Sequence, residues 1–580
     1  MKIENKSGGF AIKVFLLSFL ACLHFTVYSQ TQRTIHVVHA NSLEFDKRLG
    51  DGAQRLIGNV VLADDSTTLY SDSAYSFPDN SFRAFGHVHM SRKDSVDLYG
   101  DSLHYSGTTR VAEVYGKAIK CLRKGMTLTT KHLIYNISAH SVNYWDGGTI
   151  VDSNNTLTSI IGIYNTGERM CYFKQHVVLV NPKYVIRCDT MLYAPENRVA
   201  IFKGPTRITS KTNFMYCEKG YYNTKDNYCQ FWQKPYILNK KGDSLSGEQI
   251  YYDRNKDFGQ ILDNVSLVDT TDNIILKGDY AEYNGTNETM LTTCKALLLQ
   301  VYNKDTLHLH GDTLFGENIS MNDTNKNEKN GKPKIMLAYH HVKFFKKDLS
   351  GKCDSLTYDE KDSLMHMFYS PILWSQENQL TADSMKLHFR NKKMDILDMR
   401  GHSFIVSKDT LASKLLQEDS AASAENNKDT TLVSDSVSHL QNDSLSKDSG
   451  SHFHHDSTSV HKIAHGGDTL QFNQVKGKNM KGYFKDNKMY KVHVMGNGQT
   501  IYYVYTDNNE SLLGVNRADC SNMTMYITDN KISSITFLQK PDATLFPMKQ
   551  VKQADFLLGG FHWYEYMRPR TINDIFKGSE

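Results

Sequence analysis

The chain has 580 residues, of which 40% are hydrophobic and 22% are charged. This length suffices for two to four domains or for one long repetitive domain, and the composition excludes a globally disordered chain. The net charge of +4 argues against a nucleic-acid-binding protein, whose surface is usually strongly basic. Tyrosine is abundant, with 33 residues, and proline is scarce, with 10, which favours β structure.

Residues 1–29 have the pattern of a secretory signal peptide. Three lysines in the first 13 residues precede an apolar run over residues 14–27, which is short for a membrane-spanning helix. We therefore expect export, with cleavage near Ser29 and Gln30. The rival interpretation is lipidation at Cys22, which we disfavour because the residues that follow it stay apolar instead of forming a soluble tether.

The clearest signal in the chain is a series of tyrosines at a nearly constant step of 29 to 31 residues. The series consists of Tyr75, Tyr105, Tyr135, Tyr164, Tyr193, Tyr222, Tyr252 and Tyr283. It pauses at a polar insertion over residues 322–331 and resumes at Tyr358. Self-similarity at a fixed period predicts a repeat protein.

Each repeat contains two strands and two turns. The tyrosine is followed by a polar turn, such as residues 194–197, and then by a second apolar run. Before the tyrosine, Leu103 and Tyr105 alternate with Ser102 and His104, and this period of two is typical of a strand. The sequence therefore predicts an all-β, elongated stack of antiparallel repeats, in which each repeat contacts only its neighbours and the Leu/Tyr face points inward.

The composition divides the chain into five segments. After the signal peptide, residues 33–408 carry the repeats, and residues 409–468 form a Ser/Asp/His-rich linker with too few apolar residues to fold. The repeat pattern returns over residues 469–545, which predicts a second, small β region. Residues 546–580 form an aromatic tail that breaks the pattern.

Motifs that resemble catalytic or metal sites are better explained as structure. Gly100-Asp-Ser-Leu103 and Gly242-Asp-Ser-Leu245 resemble the nucleophile block of GDSL-type esterases, but Asp-Ser/Thr-Leu recurs along the chain, whereas a catalytic serine occurs once. The linker histidines His452, His454, His455, His461 and His465 lie where no geometry is fixed, and His340 and His341 are expected to point to opposite faces. We predict no catalytic, cofactor-binding or metal-binding residues.

The repeated acids and the scattered cysteines also indicate structure. Asp101, Asp189, Asp279, Asp354 and Asp383 are too far apart for calcium loops, so we expect them to open strands. The eight cysteines that follow Cys22 are too sparse for a disulfide scaffold, although one or two bridges are compatible with the sequence.

Several strings resemble the organic-solvent-tolerance (OstA-like) repeat. They are Leu56-Ile-Gly-Asn-Val60, Phe85-Gly-His-Val88, Leu98-Tyr-Gly-Asp-Ser-Leu103, Val114-Tyr-Gly-Lys-Ala118 and Thr130-Lys-His-Leu-Ile-Tyr135. That repeat occurs in LptA-like periplasmic bridge proteins of lipopolysaccharide export and in the N-terminal part of the LptD-like translocon. The resemblance covers roughly residues 33–408 and returns weakly at 469–540, and this chain departs from the family in its linker and its tail.

The resemblance implies a slightly open β-jellyroll (β-taco) whose apolar interior holds lipid acyl chains. It implies a periplasmic protein, associated with outer-membrane assembly, that binds lipopolysaccharide or a related lipid without catalysis. Other Lpt-type components would join by adding a strand to an open edge, and end-to-end self-association is a further expectation. The groove candidates are Leu103, Tyr105, Leu133, Tyr135, Met191, Tyr193, Ile250, Tyr252, Leu356 and Tyr358.

Two other classes of protein stay open at this point. A β-solenoid adhesin or polysaccharide-binding surface protein would show the same repetition, but with a solid core and an outer face rich in exposed aromatic residues. An outer-membrane β-barrel also has short strands, but the apolar alternation here is weak and many strands carry charges.

Overall fold

The computed structural model describes residues 35–45, 52–64, 67–92, 96–123, 125–152, 154–223, 225–302, 305–317, 334–391, 393–416, 418, 471–507, 511–528, 531–551 and 556–578. The chain divides into two compact units, unit 1 up to Glu196 and unit 2 from Asn197 onward. The predicted signal peptide, with Cys22, lies outside the described residues, and so do residues 419–470 of the predicted linker.

Within the described residues, unit 1 contains fourteen strands. They are β1 His36–His39, β2 Ser42–Phe45, β3 Gln54–Ala63, β4 Thr67–Ser76, β5 Phe82–Arg92, β6 Val96–Ser106, β7 Val111–Arg123, β8 Met126–Asn136, β9 Ser141–Tyr144, β10 Gly148–Val151, β11 Thr156–Ser159, β12 Ile161–Asn165, β13 Met170–Asn181 and β14 Tyr184–Ala194.

Unit 2 contains the remaining strands of the described chain. They are β15 Val199–Ser210, β16 Asn213–Asn223, β17 Tyr228–Trp232, β18 Tyr236–Asn239, β19 Ser244–Ser246, β20 Gln249–Asp253, β21 Phe258–Asp269, β22 Ile274–Asn284, β23 Thr289–Thr293, β24 Leu297–Tyr302, β25 Asp305–His310, β26 Thr313–Glu317, β27 Ile335–Lys346, β28 Leu349–Asp359, β29 Leu364–Phe368, β30 Ile372–Ser375, β31 Asn378–Thr381, β32 Ser384–Arg390, β33 Lys393–Lys408, β34 Phe472–Lys485, β35 Lys488–Tyr505, β36 Leu512–Thr528, β37 Lys531–Leu538 and β38 Asp542–Pro547. Among the described residues, 3₁₀ turns follow at Met548–Gln550, Glu565–Met567 and Ile572–Phe576.

Long strands that are joined by a short turn pair antiparallel with each other. In unit 1, β5 pairs with β6, β6 with β7 and β7 with β8. In unit 2, β15 pairs with β16 and β21 with β22 in the same way. The predicted all-β antiparallel fold with two strands per repeat is confirmed.

Each long strand turns a corner near its middle. Leu98 and Leu103 of β6 are five positions apart and would face opposite sides of a flat strand, yet both are buried in one cluster. On β5 the corner is a bulge at Gly86 and His87, which have positive φ angles of 76° and 43°. A side chain on Gly86 would lie 2.2 Å from a carboxylate oxygen of Asp72, so only glycine fits there.

In each unit, taken by itself, the corners divide the strands into two half-sheets, A and B, that face each other across the core of that unit. In unit 1, half-sheet A consists of the strand halves on either side of the turns after Arg92 and Arg123. In unit 2 it includes β24, β25, β30 and β31. In unit 1, half-sheet B consists of the strand halves on either side of the turns after Ser76 and Ser106. In unit 2 it includes β23, β26, β29 and β32. In unit 2, Leu373 of half-sheet A and Met367 of half-sheet B belong to one buried cluster. This two-layered arrangement is the jellyroll that the resemblance implied.

The repeated acids lie at the corners, so the expectation that they open strands was wrong for most of them. Asp101, Asp189, Asp279 and Asp354 lie in the middle of β6, β14, β22 and β28. There the carboxylate contacts the corner of the neighbouring strand: Asp279 lies 2.9 Å from the ammonium of Lys295, and Asp101 accepts the backbone N–H of Lys117 at 2.9 Å. The acid recurs because each corner leaves backbone donors and a cation that need a partner.

Order extends past the predicted start of the linker at residue 409. Residues 410–416 are helical, and the side chain of Asp409 accepts the backbone N–H of Ala412 at 2.9 Å. On the far side, β34 pairs with β33 along its length, from Lys408 opposite Phe472 to Ile396 opposite Tyr483. The 393–408 and 472–485 segments therefore share one sheet. The predicted boundary between the linker and the second β region, at residue 468, stays a prediction.

Candidate functional site

The five apolar groove candidates lie in the core between the half-sheets. Leu103, Leu133, Met191, Ile250 and Leu356 are each at most 2% exposed. Leu103 pairs laterally with Ala84 and Val114, which are also buried, so the interior of unit 1 is packed at this level. A charge at Leu133 or Met191 would therefore be buried. The role of these residues in holding acyl chains stays a prediction.

The five tyrosine candidates lie farther out on half-sheet B and are partly buried. Tyr105, Tyr135, Tyr193, Tyr252 and Tyr358 each follow an apolar candidate by two residues and share its face. Burial and a hydrogen bond to Asp257 at 2.6 Å raise the pKa of Tyr252, so the phenol stays neutral. Tyr75 does not belong to this face, because Ala74 points inward and the ring of Tyr75 lies 6.2 Å from that of Phe85 on the outside.

We call the gap between the hairpin ends of the two half-sheets the mouth. In unit 1, Arg92 at the end of β5 donates a hydrogen bond of 3.1 Å to the hydroxyl of Tyr135. One repeat later, Arg123 at the end of β7 donates to the hydroxyl of Tyr164. Each bridge joins half-sheet A to half-sheet B, so the mouth is narrow enough for one side chain to span it.

Unit 2 has bridges of a different chemistry. The ammonium of Lys334, next to β27, lies 2.6 Å from a carboxylate oxygen of Asp269 at the end of β21 and also contacts Asp272. The amide of Asn487 donates to Asp348 at 3.0 Å. Sequence reasoning identified Tyr135 as a groove candidate and Tyr164 as a member of the tyrosine series, but it missed their arginine partners and the bridging residues of unit 2. The only available signal was the recurrence of Arg92 and Arg123 one repeat apart before a turn.

Unit 2 also contains an apolar cavity between its half-sheets. Its volume is about 130 Å³, and two of the predicted groove residues, Ile250 and Tyr252, line it. The apolar wall comes from both half-sheets: Met215, Ile237, Leu245 and Leu267 from half-sheet A, with Ile250, Tyr252, Ile261 and Tyr283 from half-sheet B. The polar lining residues Asn239, Asp243 and Asp269 lie at the hairpin ends. An apolar interior with a polar rim suits a ligand with a hydrocarbon part and a polar part.

The cysteines contribute to this interior as thiols. The eight cysteines within the described residues are thiols and form no disulfide with one another, and all except Cys121 and Cys294 are buried. Burial raises the pKa of Cys121 to about 11 and that of Cys171 to about 12. Such thiols stay protonated and unreactive at neutral pH.

The other motifs lie where structure explains them. Ser102 and Ser244 lie on strands β6 and β19. His340 and His341 occupy the corner of β27 and contact different carboxylates, Asp354 at 3.3 Å and Asp312 at 2.8 Å. Across the described parts of the chain, no three His, Cys, Asp or Glu side chains could hold a metal ion together. The linker histidines lie outside these residues.

The N-terminal edge of unit 1 exposes apolar side chains. Strands β1 and β2 pair side by side with β3, and Val38, Leu43 and Phe45 are 63%, 56% and 60% exposed. An exposed apolar edge strand can pair with another chain.

Comparison with known proteins supports the family resemblance. The family model of OstA-like proteins matches residues 32–189, which confirms the resemblance over that range. Among solved structures, the chain is similar to LptH from Pseudomonas aeruginosa, described as the LptA-homologous periplasmic component of the lipopolysaccharide transport device. That match has 12% identity and a TM-score of 0.10, and covers 30% of this chain and 83% of LptH.

A comparison with curated protein sequences found no match. No helix in the described part of the chain combines the length and the hydropathy that a membrane span requires.

Proposed function

We propose that this protein is a periplasmic, non-enzymatic carrier of lipopolysaccharide or a related lipid, and that acyl chains lie between the half-sheets. The observation that carries the proposal is the apolar cavity of unit 2, which is walled by both half-sheets and edged by polar residues. The match of residues 32–189 to OstA-like proteins supports the same function. A lipid that crosses water exposes CH₂ groups at about 0.8 kcal/mol each, and an apolar groove removes that cost without chemistry.

The carrier would work with partners that supply or accept the lipid. The open edge formed by β1 and β2 presents backbone groups and the exposed side chains of Val38 and Leu43. We propose that a strand of another Lpt-type component, or of a second copy, pairs with this edge. This arrangement would continue an apolar interior from one protein to the next.

A photo-crosslinking amino acid placed at Tyr252 or Tyr283 tests the groove. Both tyrosines line the cavity, so we expect labelling of lipid in cells. Thr357 on β28 and His104 on β6 are the controls, because each neighbours a buried candidate and faces away from the core. Labelling of the controls but not of the cavity positions would contradict the proposal.

The alternative of a polysaccharide-binding surface protein rests on exposed aromatic residues. Unit 1 has such a row: Tyr70, His89 and Tyr99 lie side by side on the outside of half-sheet A. However, the rings of His89 and Tyr99 are stacked 4.3 Å apart at 1°. Their faces cover each other and offer no platform to a sugar ring, so the row favours sheet stability over saccharide binding.

A further inference from the structure

One ion bridge lies at the edge of the apolar cavity of unit 2. The carboxylate of Asp269, which lines the cavity, lies 2.6 Å from the ammonium of Lys334, and the same ammonium contacts the carboxylate of Asp272. We call these three residues the Lys334 bridge. Because the cavity and the bridge share Asp269, the bridge lies where the cavity meets the mouth.

The Lys334 bridge joins the two half-sheets of unit 2. Asp269 is the last residue of β21 and Asp272 follows in the turn to β22, at a hairpin end of half-sheet A. Lys334 directly precedes β27, and the next residue, Ile335, pairs with Glu317 of β26 in half-sheet B. The bridge therefore spans the mouth at the level of the cavity.

Each side of the bridge is held by its own hairpin. The backbone N–H of Lys334 donates to the carboxylate of Glu360 at 2.9 Å, and the N–H of Glu360 donates to the carbonyl of Lys334 at 3.1 Å. On half-sheet A, the carboxylate of Asp269 accepts the N–H groups of Thr271 and Asp272 at 2.9 and 3.0 Å. The bridge can therefore open while both hairpins keep these bonds.

The bridge is charged, and water reaches it. Burial opposes the charge of Lys334, but hydrogen bonds to Asp269 and Asp272 outweigh burial and raise the pKa of the lysine, which stays a cation at neutral pH. The side chains of Lys334, Asp269 and Asp272 are 21%, 21% and 33% exposed. Since each group is partly exposed, the separated ions are rehydrated and no fully buried charge is left without a partner.

A second acid at the edge of the cavity is arranged differently. Asp243 also lines the cavity, but its carboxylate accepts hydrogen bonds from the amide of Asn239 and from the hydroxyl of Thr270, each at 2.8 Å. All three residues lie at hairpin ends of half-sheet A. Asp243 therefore joins neighbouring hairpins of one half-sheet, whereas Asp269 joins half-sheet A to half-sheet B.

We infer that the Lys334 bridge is a latch that closes the mouth over the cavity and sets the rate at which acyl chains enter and leave it. The inference rests on the proposed function and adds the residues that control access. For a chain to pass, the ammonium of Lys334 leaves both carboxylates and the hairpin ends separate. The bridge re-forms over an empty and a filled cavity alike, so the latch changes the rates of uptake and release without changing the affinity.

The test measures rates and affinity separately. The mature full-length protein is mixed in a stopped-flow instrument with phosphatidylcholine vesicles that contain a pyrene-acyl analogue of the same lipid, and release is followed after addition of unlabelled vesicles. Lys334→Met keeps a long side chain and removes its charge. We expect uptake and release to become about tenfold faster, because two charge-assisted hydrogen bonds are lost, while equilibrium uptake stays within about twofold of the wild type. Higher salt should speed exchange in the wild type and leave Lys334→Met unchanged, because salt screens partly exposed ion pairs.

Three further variants serve as controls. Lys256→Met removes a lysine at a hairpin end of half-sheet B whose ammonium lies 3.2 Å from Asp253 in the same turn, so both rates should stay unchanged. Lys334→Arg keeps the cation and should keep exchange slow. Asp272→Asn removes one of the two acids and should give an intermediate rate, which tests the latch independently if Lys334→Met does not fold. Circular dichroism verifies that each variant is folded.

The outcomes that contradict the two proposals differ. Unchanged rates in folded Lys334→Met, or an equal acceleration in Lys256→Met, overturn the latch while the groove stands. Loss of equilibrium uptake by folded Lys334→Met would show that the lysine holds the ligand, and it would also overturn the latch. No uptake by the wild type overturns the proposed function and the latch with it.

Discussion

Unit 1 and unit 2 are built from the same repeat, but they differ in what covers the outside of half-sheet A. In unit 1 that surface carries Tyr70 and Tyr99, which are 44% and 39% exposed. In unit 2 the part of this surface at β30 is buried: Trp374 on β30 is 0% exposed although its neighbour Leu373 already faces the core. The difference shows that the repeat specifies the interior, whereas the outer face depends on what the rest of the chain supplies.

The cover in unit 2 is the C-terminal segment, residues 548–578. Phe561 and Trp563 pack on Phe472, with ring centres 5.4 and 4.9 Å apart. Farther along, Ile575 is fully buried and Phe576 lies 4.5 Å from His310 on β25. The segment thus contacts strands that are distant in sequence and buries the second face of their sheet.

Two glutamines fix this segment in register. The amide of Gln474 donates to the carbonyl of Phe556 at 2.7 Å and accepts the N–H of Leu558 at 2.9 Å. Gln379 makes the same two bonds: its amide donates to the carbonyl of His562 at 2.8 Å and accepts the N–H of Tyr564 at 2.7 Å. Each amide side chain therefore makes the hydrogen bonds that the backbone of a neighbouring strand would make. It satisfies backbone groups of the segment that would cost free energy if they were buried without a hydrogen bond.

The largest expected effect comes from a charge in the core of unit 2. Leu356→Asp places an unpaired carboxylate at a position that is 1% exposed, so we expect a loss of more than about 4 kcal/mol in the free energy of unfolding. Hydrogen exchange would show whether the loss is confined to unit 2. The control is Thr357→Asp, on the outer face, which should cost less than about 1 kcal/mol. Equal loss of protection in unit 1 would mean that the two units do not unfold separately.

A smaller effect is expected from loosening the cover of unit 2. Gln474→Ala leaves the Phe556 carbonyl and the Leu558 N–H without partners, which should cost about 2–3 kcal/mol. Limited proteolysis should then cut within residues 548–578 while the sheet stays intact. Gln499→Ala is the matched control, because that amide bonds to Asp519 on the neighbouring strand. Unchanged protease resistance in the Gln474 variant would show that the aromatic contacts alone hold the segment.

Two histidines, one in each unit, should contribute to the pH dependence of stability with opposite signs. Burial lowers the pKa of His310 in unit 2, so its neutral form is favoured by folding and stability falls as the pH drops below about 6.5. Hydrogen bonding to Asp72 raises the pKa of His87 in unit 1, so folding favours its protonated form. The stability that His87 contributes is therefore fully present below about pH 6.5 and is lost as the pH rises through the raised pKa.

Thermal unfolding between pH 5 and pH 8 measures the contributions of both histidines to stability. His310→Gln should flatten the loss of stability at acidic pH, and His87→Gln should flatten the loss toward alkaline pH. A change of the same sign in both variants would contradict the opposite contributions of these two histidines.

The smallest effect on stability is expected at the open edge of unit 1. Val38→Lys/Leu43→Lys changes exposed positions, so the free energy of unfolding should move by less than about 0.5 kcal/mol. Sedimentation velocity should nevertheless show loss of any self-association, since charges block edge pairing. Tyr70→Lys, on the exposed outer face and away from the edge, is the control. Self-association that survives in the edge variant would direct attention to the edge at β37 and β38.

Much of the interior could be predicted from the residues alone. The alternation around Leu103, Leu133 and Leu356 identified side chains that the structure buries, because period two leaves little freedom in which face a strand presents. Tyr75 failed the same rule, because its strand is offset by one residue and Ala74 takes the inward place. The prediction that the repeated acids open strands was wrong for another reason. Their partners lie at the corner of the next strand, and no local sequence pattern reveals a corner.

The sequence by itself determined the repeat, its two antiparallel strands, the apolar face of each strand and the resemblance to OstA-like proteins. These follow from spacing and side-chain chemistry within about thirty residues. Only the tertiary structure decided that strands fold at corners into facing half-sheets, that Arg92 reaches Tyr135 across the mouth, and that Gln474 holds a segment more than eighty residues away. Such contacts join positions whose separation in sequence sets no distance in space, so they arise when burial and hydrogen bonding are satisfied for the whole unit at once.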